Sequence, residues 1–535
     1  MNTINKYISI FVAIVGITFS GCNIDPELTS TYPEEVAWSN ETNLRLNLNG
    51  FYSLIAGYYG GAVSDDACTD VLKKNAPRDN ENLFAFGIMP ITPTHNPFDN
   101  WGNRHTWQLS CCRFLKDLEK YKANFSEKAA LEAEAEARFF RALVDFDLAK
   151  RYGGSFILYK ELPPLGEKEH ARCAPEESWN LIAEDLDFAS KYLPNKDEVP
   201  VGRITKGAAF ALKARAMLYA KRWKEASDAA LEVKKLGYAL YKNPNREDKG
   251  YGELFTNRRS APLQNNESII EFGYSYADKF DYSFDYFYCP PSDGGYAEVS
   301  PTDNLVAAYE MADGAAFSWE NPEMAANPYM GREPRFYASI LYNGAVWKGE
   351  PLYTYEGSTD GYALGGGTTC TGYYMKKLFD EKLSKSHMTS TDLTFYYMRY
   401  AEVLLIYAEA MAEQDKLTEA LEALNEVRAR VDLPAVSAVS KSAFMKLLRH
   451  ERMIELAFEG HRFWDIRRWG LGTTLLNGVH MNGVKPIKNG DSYEYKVVDC
   501  DGGKTRVYLD KYDCFPVPLA ELQQNVACTQ FDEWK

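Results

Sequence analysis

The sequence LLRHERMIELAFEGHRFWDIRRWG, residues 447–470, decides the fold of this chain. Its first half has helical periodicity, because apolar residues recur on one face of a helix. The residues of that face are Phe444, Leu447, Leu448, Ile454 and Phe458. Gly460 favours a left-handed helix end, after which Phe463 and Trp464 would pack back against the first helix. The stretch therefore predicts two helices that meet at a glycine.

Glu451 lies on that apolar face, at the spacing where another apolar residue belongs. A carboxylate there is costly unless it is paired, and the same stretch supplies Arg462, Arg467 and Arg468 as partners. The cluster is either an acid/base active site or a buried ion network that fixes how two helices cross. Buried charges more often serve structure, which favours the second interpretation. The residues predicted for the network are Arg138, Arg141, Glu451, Glu455, Arg462 and Arg468.

A metal site is not indicated in this stretch. His450 and Glu451 would begin a His-Glu-x-x-His motif, but Ile454 stands where the second histidine belongs. We therefore predict no catalytic residue, no metal ligand and no cofactor.

The amino terminus has the pattern of a bacterial lipoprotein signal peptide. Lys6 precedes an apolar run over residues 8–19, which is too short to span a bilayer comfortably. A Ser-Gly pair then precedes Cys22, as in a lipobox, and plain signal cleavage beside a chance cysteine is the alternative. We predict that residues 1–21 are removed and that Cys22 carries a lipid, such as palmitate, that anchors the protein.

Composition and charge argue against one class of partner. The chain has 535 residues, of which 45% are hydrophobic and 25% charged, as is typical of a globular protein with an ample core. Its net charge of −15 argues against nucleic acid, because phosphates reward a basic surface. Aromatic residues make up 14% of the chain, and flat rings near the surface suit carbohydrates as well as protein partners.

The cysteines do not indicate a disulfide framework. Those that follow Cys22 are odd in number and scattered in spacing, and none forms a C-x-x-C pair for zinc. We expect most of them to be small buried residues. Cys500 and Cys514 could bridge a late hairpin, although nothing requires it.

Helical patterns group into pairs, with small residues where the helices would cross. The pairs are expected over residues 101–152, 205–237, 400–427 and 442–470, with a further helix over 174–192. Such packing is typical of tetratricopeptide-like repeats, which usually bind partners rather than catalyse reactions. Arg138 and Arg141, in the first pair, are candidates to pair with a buried carboxylate such as Glu451 or Asp145.

Two stretches rich in glycine, proline, aspartate and asparagine interrupt the helical pattern, over about residues 57–100 and 238–396. Loops of this length in a compact protein are normally functional. The second contains an aromatic run over residues 274–296, which suits a ligand site. It is equally typical of a strand that buries one aromatic face. A later hairpin is expected, with strands over 494–498 and 505–509.

Several blocks of this sequence resemble the RagB/SusD family of outer-membrane lipoproteins. The blocks are Arg138 through Gly154, Pro301-Thr302-Asp303-Asn304, Arg332-Glu333-Pro334-Arg335, Glu451-Arg452, Glu455-Leu456, Phe458-Glu459-Gly460, Arg462, Asp465-Ile466 and Arg468-Trp469-Gly470. The resemblance implies a mainly α fold, in which a tetratricopeptide-like scaffold of helical pairs carries long irregular insertions and a few short strands. It implies a single domain over residues 22–535. The scaffold would cover about 40–56, 101–237 and 397–470, the ligand-binding insertions about 57–100 and 238–396, and C-terminal hairpins 478–535.

Members of that family bind glycans or other nutrients for a partner transporter. The resemblance therefore implies a surface-exposed lipoprotein of the outer membrane that captures oligosaccharide. It implies delivery of the ligand, without chemistry, to a SusC-like TonB-dependent transporter. The residues predicted to bind the ligand are Asp66, Asn75, Arg78, Tyr286, Tyr288, Tyr296 and Trp319.

Two other functions fit parts of the sequence. A surface glycoside hydrolase would also use acidic pairs and exposed aromatic rings, but no pair of carboxylates in the insertions is marked by its spacing as acid and nucleophile. A repeat scaffold for protein partners would explain the helical pairs. The predicted lipid anchor and the large aromatic insertions disfavour it.

Overall fold

The computed structural model describes residues 33–56, 58–275, 283–382 and 391–535. The predicted signal peptide and Cys22 lie outside the described residues. Part of the aromatic run, residues 276–282, also lies outside them.

Helices make up most of the regular structure. They are α1 (Glu34–Ala37), α2 (Glu41–Asn49), α3 (Tyr58–Asp66), α4 (Asn80–Ala85), α5 (Trp101–Tyr121), α6 (Glu127–Arg151), α7 (Pro175–Tyr192), α8 (Lys206–Tyr219), α9 (Trp223–Lys235), α10 (Tyr251–Leu254), α11 (Phe284–Tyr288), α12 (Asp303–Val306), α13 (Pro322–Ala326), α14 (Pro334–Ser339), α15 (Tyr400–Glu413), α16 (Leu417–Arg430), α17 (Lys441–Glu455), α18 (Arg462–Arg468), α19 (Gly472–Leu476) and α20 (Leu519–Gln524). None of the helices in the described ranges combines the length and the apolar character that crossing a bilayer requires.

The strands are short and pair two by two. They are β1 (Leu72–Lys74), β2 (Ser268–Gly273), β3 (Val299–Pro301), β4 (Ile340–Leu341), β5 (Val346–Trp347), β6 (Glu350–Pro351), β7 (Tyr374–Met375), β8 (Thr394–Arg399), β9 (Asn482–Asn489) and β10 (Ser492–Asp499). The antiparallel pairs among the described residues are β1–β3, β2–β8, β4–β7, β5–β6 and β9–β10. The predicted fold, mainly helical with irregular insertions and a few short strands, is confirmed.

The long helices form one continuous array. Neighbours along it are α5, α6, α7, α8, α9, α15, α16 and α17, each packed against the next. The array crosses the second insertion without a break, because α9 packs on α15 although residues 236–399 separate them in sequence. The insertion is therefore a projection from the array and does not divide it.

Local sequence signals explain where the array helices begin and end. The Ser126 hydroxyl accepts a hydrogen bond from the amide of Ala129, which caps the start of α6 as predicted. Gly153 and Gly154 follow its end with positive φ angles of 61° and 81°. Gly460 has a φ of 75°, and a β-carbon there would lie 2.4 Å from that of Ala62. The turn after α17 thus requires glycine.

One expectation about smaller elements is wrong, and two alternatives that the sequence left open are decided by the structure. The late hairpin pairs β9 with β10, so the strand partner precedes residues 494–498 and is not 505–509. The stretch 284–288 of the aromatic run is helix α11, not part of a strand. Cys500 and Cys514 are free thiols and form no bridge.

Candidate functional site

The β1–β3 pair brings the two insertions together. Lys74 lies opposite Val299 in this ladder, and the amide of Asn75 donates to the carbonyl oxygen of Glu298 at 2.9 Å. Residues that are more than 200 positions apart in sequence therefore share one surface. The polar loop that follows β1 lies beside the aromatic segment that precedes β3.

Tyr286 and Tyr296 form an aromatic pair on that surface. Their ring centroids are 4.7 Å apart at an interplanar angle of 84°, and the Tyr286 hydroxyl donates to the Tyr296 hydroxyl at 3.0 Å. Tyr296 is 57% exposed, and Phe287, whose ring lies 5.6 Å from that of Tyr286, is 38% exposed. Exposure of large rings in adjacent positions is unusual outside binding surfaces.

Charged groups edge this aromatic pair. The ammonium group of Lys74 lies 3.0 Å from Glu298 and 3.6 Å from Glu81. Burial raises the pKa of Asp79, with Glu81 and Glu298 adding to the rise and Lys74 opposing it. Lys74, Asp79 and Glu298 could not be recognised from the sequence, because Lys74 lies in a strand of only three residues and the other two lie in loops without a periodic pattern.

Two of the predicted polar contacts are buried and serve as links between segments. The Asn75 amide group donates to the carbonyl oxygen of Ala297 at 2.5 Å, and its oxygen accepts from the amide of Cys370 at 2.9 Å. The Asp66 carboxylate accepts a hydrogen bond from the amide of Phe463, and burial raises the pKa of Asp66 to about 8. Arg78, in contrast, is exposed in the same loop.

Tyr288 lies below the exposed pair. It is 5% exposed, its ring packs 4.7 Å from that of Phe284, and burial raises its pKa. Tyr288 and Phe287 also line a cavity of about 350 Å³. The other described lining residues are Ile55, Tyr58, Tyr59, Gly60, Phe272, Tyr274, Ser283, Phe284, Phe395 and Tyr397. Tyr288 therefore supports the surface from inside.

Trp319 is not part of the Tyr286–Tyr296 group. Its indole nitrogen donates to the carboxylate of Asp303 at 2.8 Å, and its ring packs edge-on against Phe317. Asp303 follows β3, whereas Tyr296 precedes it. The structure thus separates Trp319 from the tyrosine pair by the length of that strand.

Glu451 and Glu455 belong to a buried ion network that joins the array to the insertions. The Arg335 guanidinium lies 2.5 Å from Glu451 and 3.0 Å from Glu455, while Arg428 lies 3.1 Å from Glu451. The described acids of the network are Glu267, Glu310, Glu333, Glu451, Glu455 and Glu459, and the bases are Arg335, Lys377, Arg399, Arg428 and Arg430.

The network holds two of its acids, Glu455 and Glu459, ionised. Burial would raise the pKa of Glu455, but Arg430, Arg399 and Arg335 together hold it well below its usual range. Burial would likewise raise the pKa of Glu459, yet Arg399 and Lys377 lower it to about 2. Glu451 is 1% exposed, with both carboxylate oxygens engaged by arginines. A substrate has no route to this carboxylate in the folded protein.

The arginines predicted to pair with Glu451 have other partners. Arg141 binds Asp185 at 2.7 Å, and Arg138 lies 3.4 Å from the same carboxylate. Arg462 binds Asp70 at 2.7 Å. Arg468 bridges Asp465 and Glu409 within the array. The pairing of these arginines with Glu451 was wrong, because α6 faces Asp185 of α7 and α18 turns away from Glu451 after Gly460.

No group of three or more histidine, cysteine, aspartate or glutamate side chains within the described ranges is placed to hold a metal ion. The surface around Tyr286 and Tyr296 therefore offers rings, hydroxyls and separate charges. That chemistry suits an uncharged, hydroxyl-rich ligand with apolar faces.

The sequence of this protein matches two family models and several related proteins. The sequence model of the SusD family matches residues 260–534, and a model described as "Starch-binding associating with outer membrane" matches residues 32–218. A SusD-like protein of Formosa agariphila is 21% identical over 93% of this chain and 92% of its own length.

Two solved structures from Bacteroides fragilis NCTC 9343 have the same fold. A SusD-like protein is 27% identical with a TM-score of 0.80, and the alignment covers 94% of this chain and 99% of that one. A SusD-like carbohydrate binding protein is 26% identical with a TM-score of 0.77, covering 92% of this chain and 100% of that one. With a family model matching more than half of its residues, the chain belongs to the SusD family.

Proposed function

We propose that this protein captures oligosaccharide at the outer-membrane surface by stacking sugar rings on Tyr286 and Tyr296. The observation that carries the proposal is the tyrosine pair, in which Tyr296 is exposed and Tyr286 half-buried, two residues from the partly exposed carboxylate of Glu298. A sugar ring has an apolar face of C–H groups and an edge of hydroxyls. The tyrosine rings match the face, and Glu298 with the exposed Arg78 matches the edge.

The energetics of this arrangement favour binding. A tyrosine ring gives a large contact area with little loss of side-chain entropy, because it has few rotatable bonds. The hydrogen bond between the two hydroxyls fixes the angle between the rings before a ligand arrives. The same ligand class is supported by the starch-binding family model that matches residues 32–218 and by the structural relative that is a carbohydrate binding protein.

The remaining parts of the proposal rest on the family. We propose that residues 1–21 are a signal peptide and that lipid on Cys22 anchors the protein to the outer membrane, facing outward. Its partner would be a SusC-like TonB-dependent transporter that receives the oligosaccharide. Replacing the acylated residue, Cys22→Ala, should release the protein from the membrane fraction. Full retention in that fraction would contradict the anchor.

The proposal does not include catalysis. Glu451, the acid that sequence analysis considered for an active site, is enclosed by Arg335 and Arg428. Asp79 and Glu298 are acids near the tyrosine pair, and they leave glycoside hydrolysis as the alternative to test. Release of reducing ends from a bound glycan would favour the hydrolase over the binding protein.

The test is a binding panel on the soluble chain without residues 1–22. Affinity electrophoresis in laminarin, amylopectin, xylan, pectin, alginate and mucin selects a ligand, and calorimetry on its oligosaccharides gives the affinity. Tyr296→Ala should weaken binding about tenfold or more, since one stacking ring contributes on the order of 1–2 kcal/mol. Arg78→Ala should weaken it less, because a hydrogen bond at an exposed edge contributes about 1 kcal/mol.

A matched control lies on the array. Tyr192 is half-buried and packs 4.6 Å from Phe188 at the end of α7, far along the chain from both insertions. Tyr192→Ala should therefore lower stability without changing glycan affinity. Unchanged affinity in Tyr296→Ala and in Tyr286→Ala, with melting temperatures preserved, would show that the tyrosine pair does not bind the ligand.

A further inference from the structure

We infer that Tyr353, Tyr355 and Tyr493 form a second sugar-stacking surface, so that the ligand is an extended neutral oligosaccharide and not a short one. This inference rests on the proposed glycan-binding function and names the class of glycan. Sequence analysis did not select any of the three tyrosines, since they come from two separate segments. We call them the outer cluster.

The rings of the outer cluster lie together at the surface. Tyr353 and Tyr493 are stacked with centroids 6.1 Å apart at 25°, and Tyr355 lies 5.9 Å from Tyr493 at 31°. The Lys488 ammonium lies 4.9 Å above the Tyr355 ring. Tyr353 is 37% exposed, and the other two rings are half-buried. Tyr353 and Tyr355 are inclined at 50°, so the cluster is one stacked pair with a third ring tilted against it.

The hydroxyls distinguish the outer cluster from the buried tyrosines. The Tyr373 hydroxyl donates to Asp303 at 2.9 Å, and that of Tyr374 donates to the carbonyl oxygen of Asp360. The hydroxyls of the outer cluster make no hydrogen bond to any group in the described part of the chain. They are therefore available to a ligand, whereas core tyrosines use theirs to stabilise the fold.

The backbone that carries the outer cluster is fixed in place. The Ser358 hydroxyl lies 2.7 Å from the carbonyl oxygens of both Tyr353 and Tyr355, and the amide of Thr354 donates to Asn343 at 3.0 Å. An ion pair of 2.5 Å between Lys485 and Glu356 ties the β9–β10 hairpin to this loop. Binding therefore needs little ordering of the site, which preserves affinity.

Charge decides which ligand suits the outer cluster. Lys485 is paired with Glu356, and Lys488 lies over the Tyr355 ring. These groups form neither a row of carboxylates nor a row of ammonium groups, so they favour neither a polycation nor a polyanion. Stacked rings with free hydroxyls and balanced charge fit a neutral sugar chain.

Hydrogen bonds connect the outer cluster to the loop that carries Tyr296. The amide of Ser292 donates to Asp360 at 2.8 Å, which joins the loop after Tyr355 to the segment before Tyr296. The indole nitrogen of Trp347 donates to Asp293 at 2.5 Å. The loops that carry the two tyrosine surfaces are thus hydrogen-bonded neighbours, and an extended chain of sugars is the ligand that could contact both.

The test compares short and long ligands from whichever glycan of the panel the wild type binds. The double variant Tyr353→Ala/Tyr493→Ala should bind the disaccharide as the wild type does and bind the polymer about tenfold or more weakly. Tyr296→Ala should weaken both. Val497→Ala, an exposed position on the same hairpin, is the control and should change neither affinity.

Each other outcome overturns the inference in a distinguishable way. Wild-type affinity of the double variant for the polymer, with Tyr296→Ala impaired, leaves the proposed function in place and removes the second surface. Loss of disaccharide binding in the double variant would make the outer cluster the primary site and exclude two surfaces. Failure of the wild type to bind any glycan of the panel would overturn the proposed function and this inference together.

Discussion

The core of the helical array and the core of the insertions are built from different residues. Where the array helices cross, alanines such as Ala211, Ala216 and Ala408 are fully buried, and the helices pack by shape. The core of the insertions contains tyrosines, such as Tyr251 and Tyr373, whose hydroxyls bind specific acceptors. The packing of the array is therefore specified by the size of its side chains. The packing of the insertion core is specified by hydrogen bonds as well. A region already rich in tyrosine can present some of its rings to solvent, where they become binding surfaces.

The ion network lies where these two cores meet. Glu451 and Glu455 come from the last array helix, Arg428 and Arg430 come from α16, and Arg335 comes from the second insertion. A buried ion pair adds little net stability over an apolar pair, but the loss of one partner leaves a charge without compensation. The network therefore fixes the position of the insertions on the array.

The largest effect is expected at this junction. Glu451→Ala should lower the free energy of unfolding by about 3–5 kcal/mol, because Arg335 and Arg428 would lose a buried partner. Urea denaturation measures the change. Removal of an exposed pair by Lys224→Ala should cost less than about 1 kcal/mol, which provides the control. If Glu451→Ala left stability unchanged but abolished a measurable glycan hydrolysis, Glu451 would instead be an acid catalyst.

The next effect tests whether the array is specified by size. Ala408 is fully buried in α15, where this helix packs on its neighbours. Ala408→Leu should cost about 1–3 kcal/mol, because added methylenes force side chains and backbone to shift. Thr418→Leu, at an exposed position of α16, is the matched control. Equal stability of the two variants would contradict close packing in the array.

A smaller effect tests the hydroxyls of the insertion core. Tyr373→Phe keeps the ring but removes the hydrogen bond to Asp303, and it should cost about 0.5–1.5 kcal/mol. The free energy of unfolding from urea melts is again the measurement. Because Trp319 also donates to Asp303, its fluorescence should shift in this variant. A variant as stable as the wild type, with the same fluorescence, would show that ring packing alone specifies this core.

Sequence periodicity could predict the array because its signals are local. Ser126 caps α6 and Gly460 ends the turn after α17, and both effects depend on residues within a few positions. The unusual position of Glu451 was also visible in its own helix. The sequence could not identify its partner Arg335, because 115 residues separate Arg335 from Glu451 and no spacing rule connects them. Only the folded chain brings these two side chains together.

The candidate site could be predicted only as a pair of regions. The aromatic run drew attention to Tyr286, Tyr288 and Tyr296, but burial separates them, and Tyr288 faces inward. Which ring is exposed depends on α11, a helix of five residues that carries no detectable period. Asn75 is a comparable case, because its hydrogen bonds to Ala297 and Cys370 exist only after both insertions have folded.

The smallest effect concerns His461, a buried side chain that stays neutral while the network acids Glu455 and Glu459 stay ionised. His461 lies at the start of α18, facing Glu402, Arg215, Arg452 and Asp465, and burial lowers its pKa to about 4. Between pH 7 and 6 the unfolded chain therefore gains a proton at this residue, whose ordinary pKa is 6.5, and the folded chain does not. Stability should fall as pH falls, by about 0.7 kcal/mol from this residue alone.

The sign of this effect separates His461 from Asp145, a buried acid of the array. Burial raises the pKa of Asp145 to about 8, so that this carboxyl contributes stability as pH falls, in the opposite direction. The difference between the wild type and His461→Gln across pH 7 to 6 isolates the histidine, because the acids are common to both proteins. The variant should lose less stability on acidification. Identical pH dependence of the two proteins would mean that His461 titrates alike in the folded and unfolded chains, and that its contact with Glu402 compensates for burial.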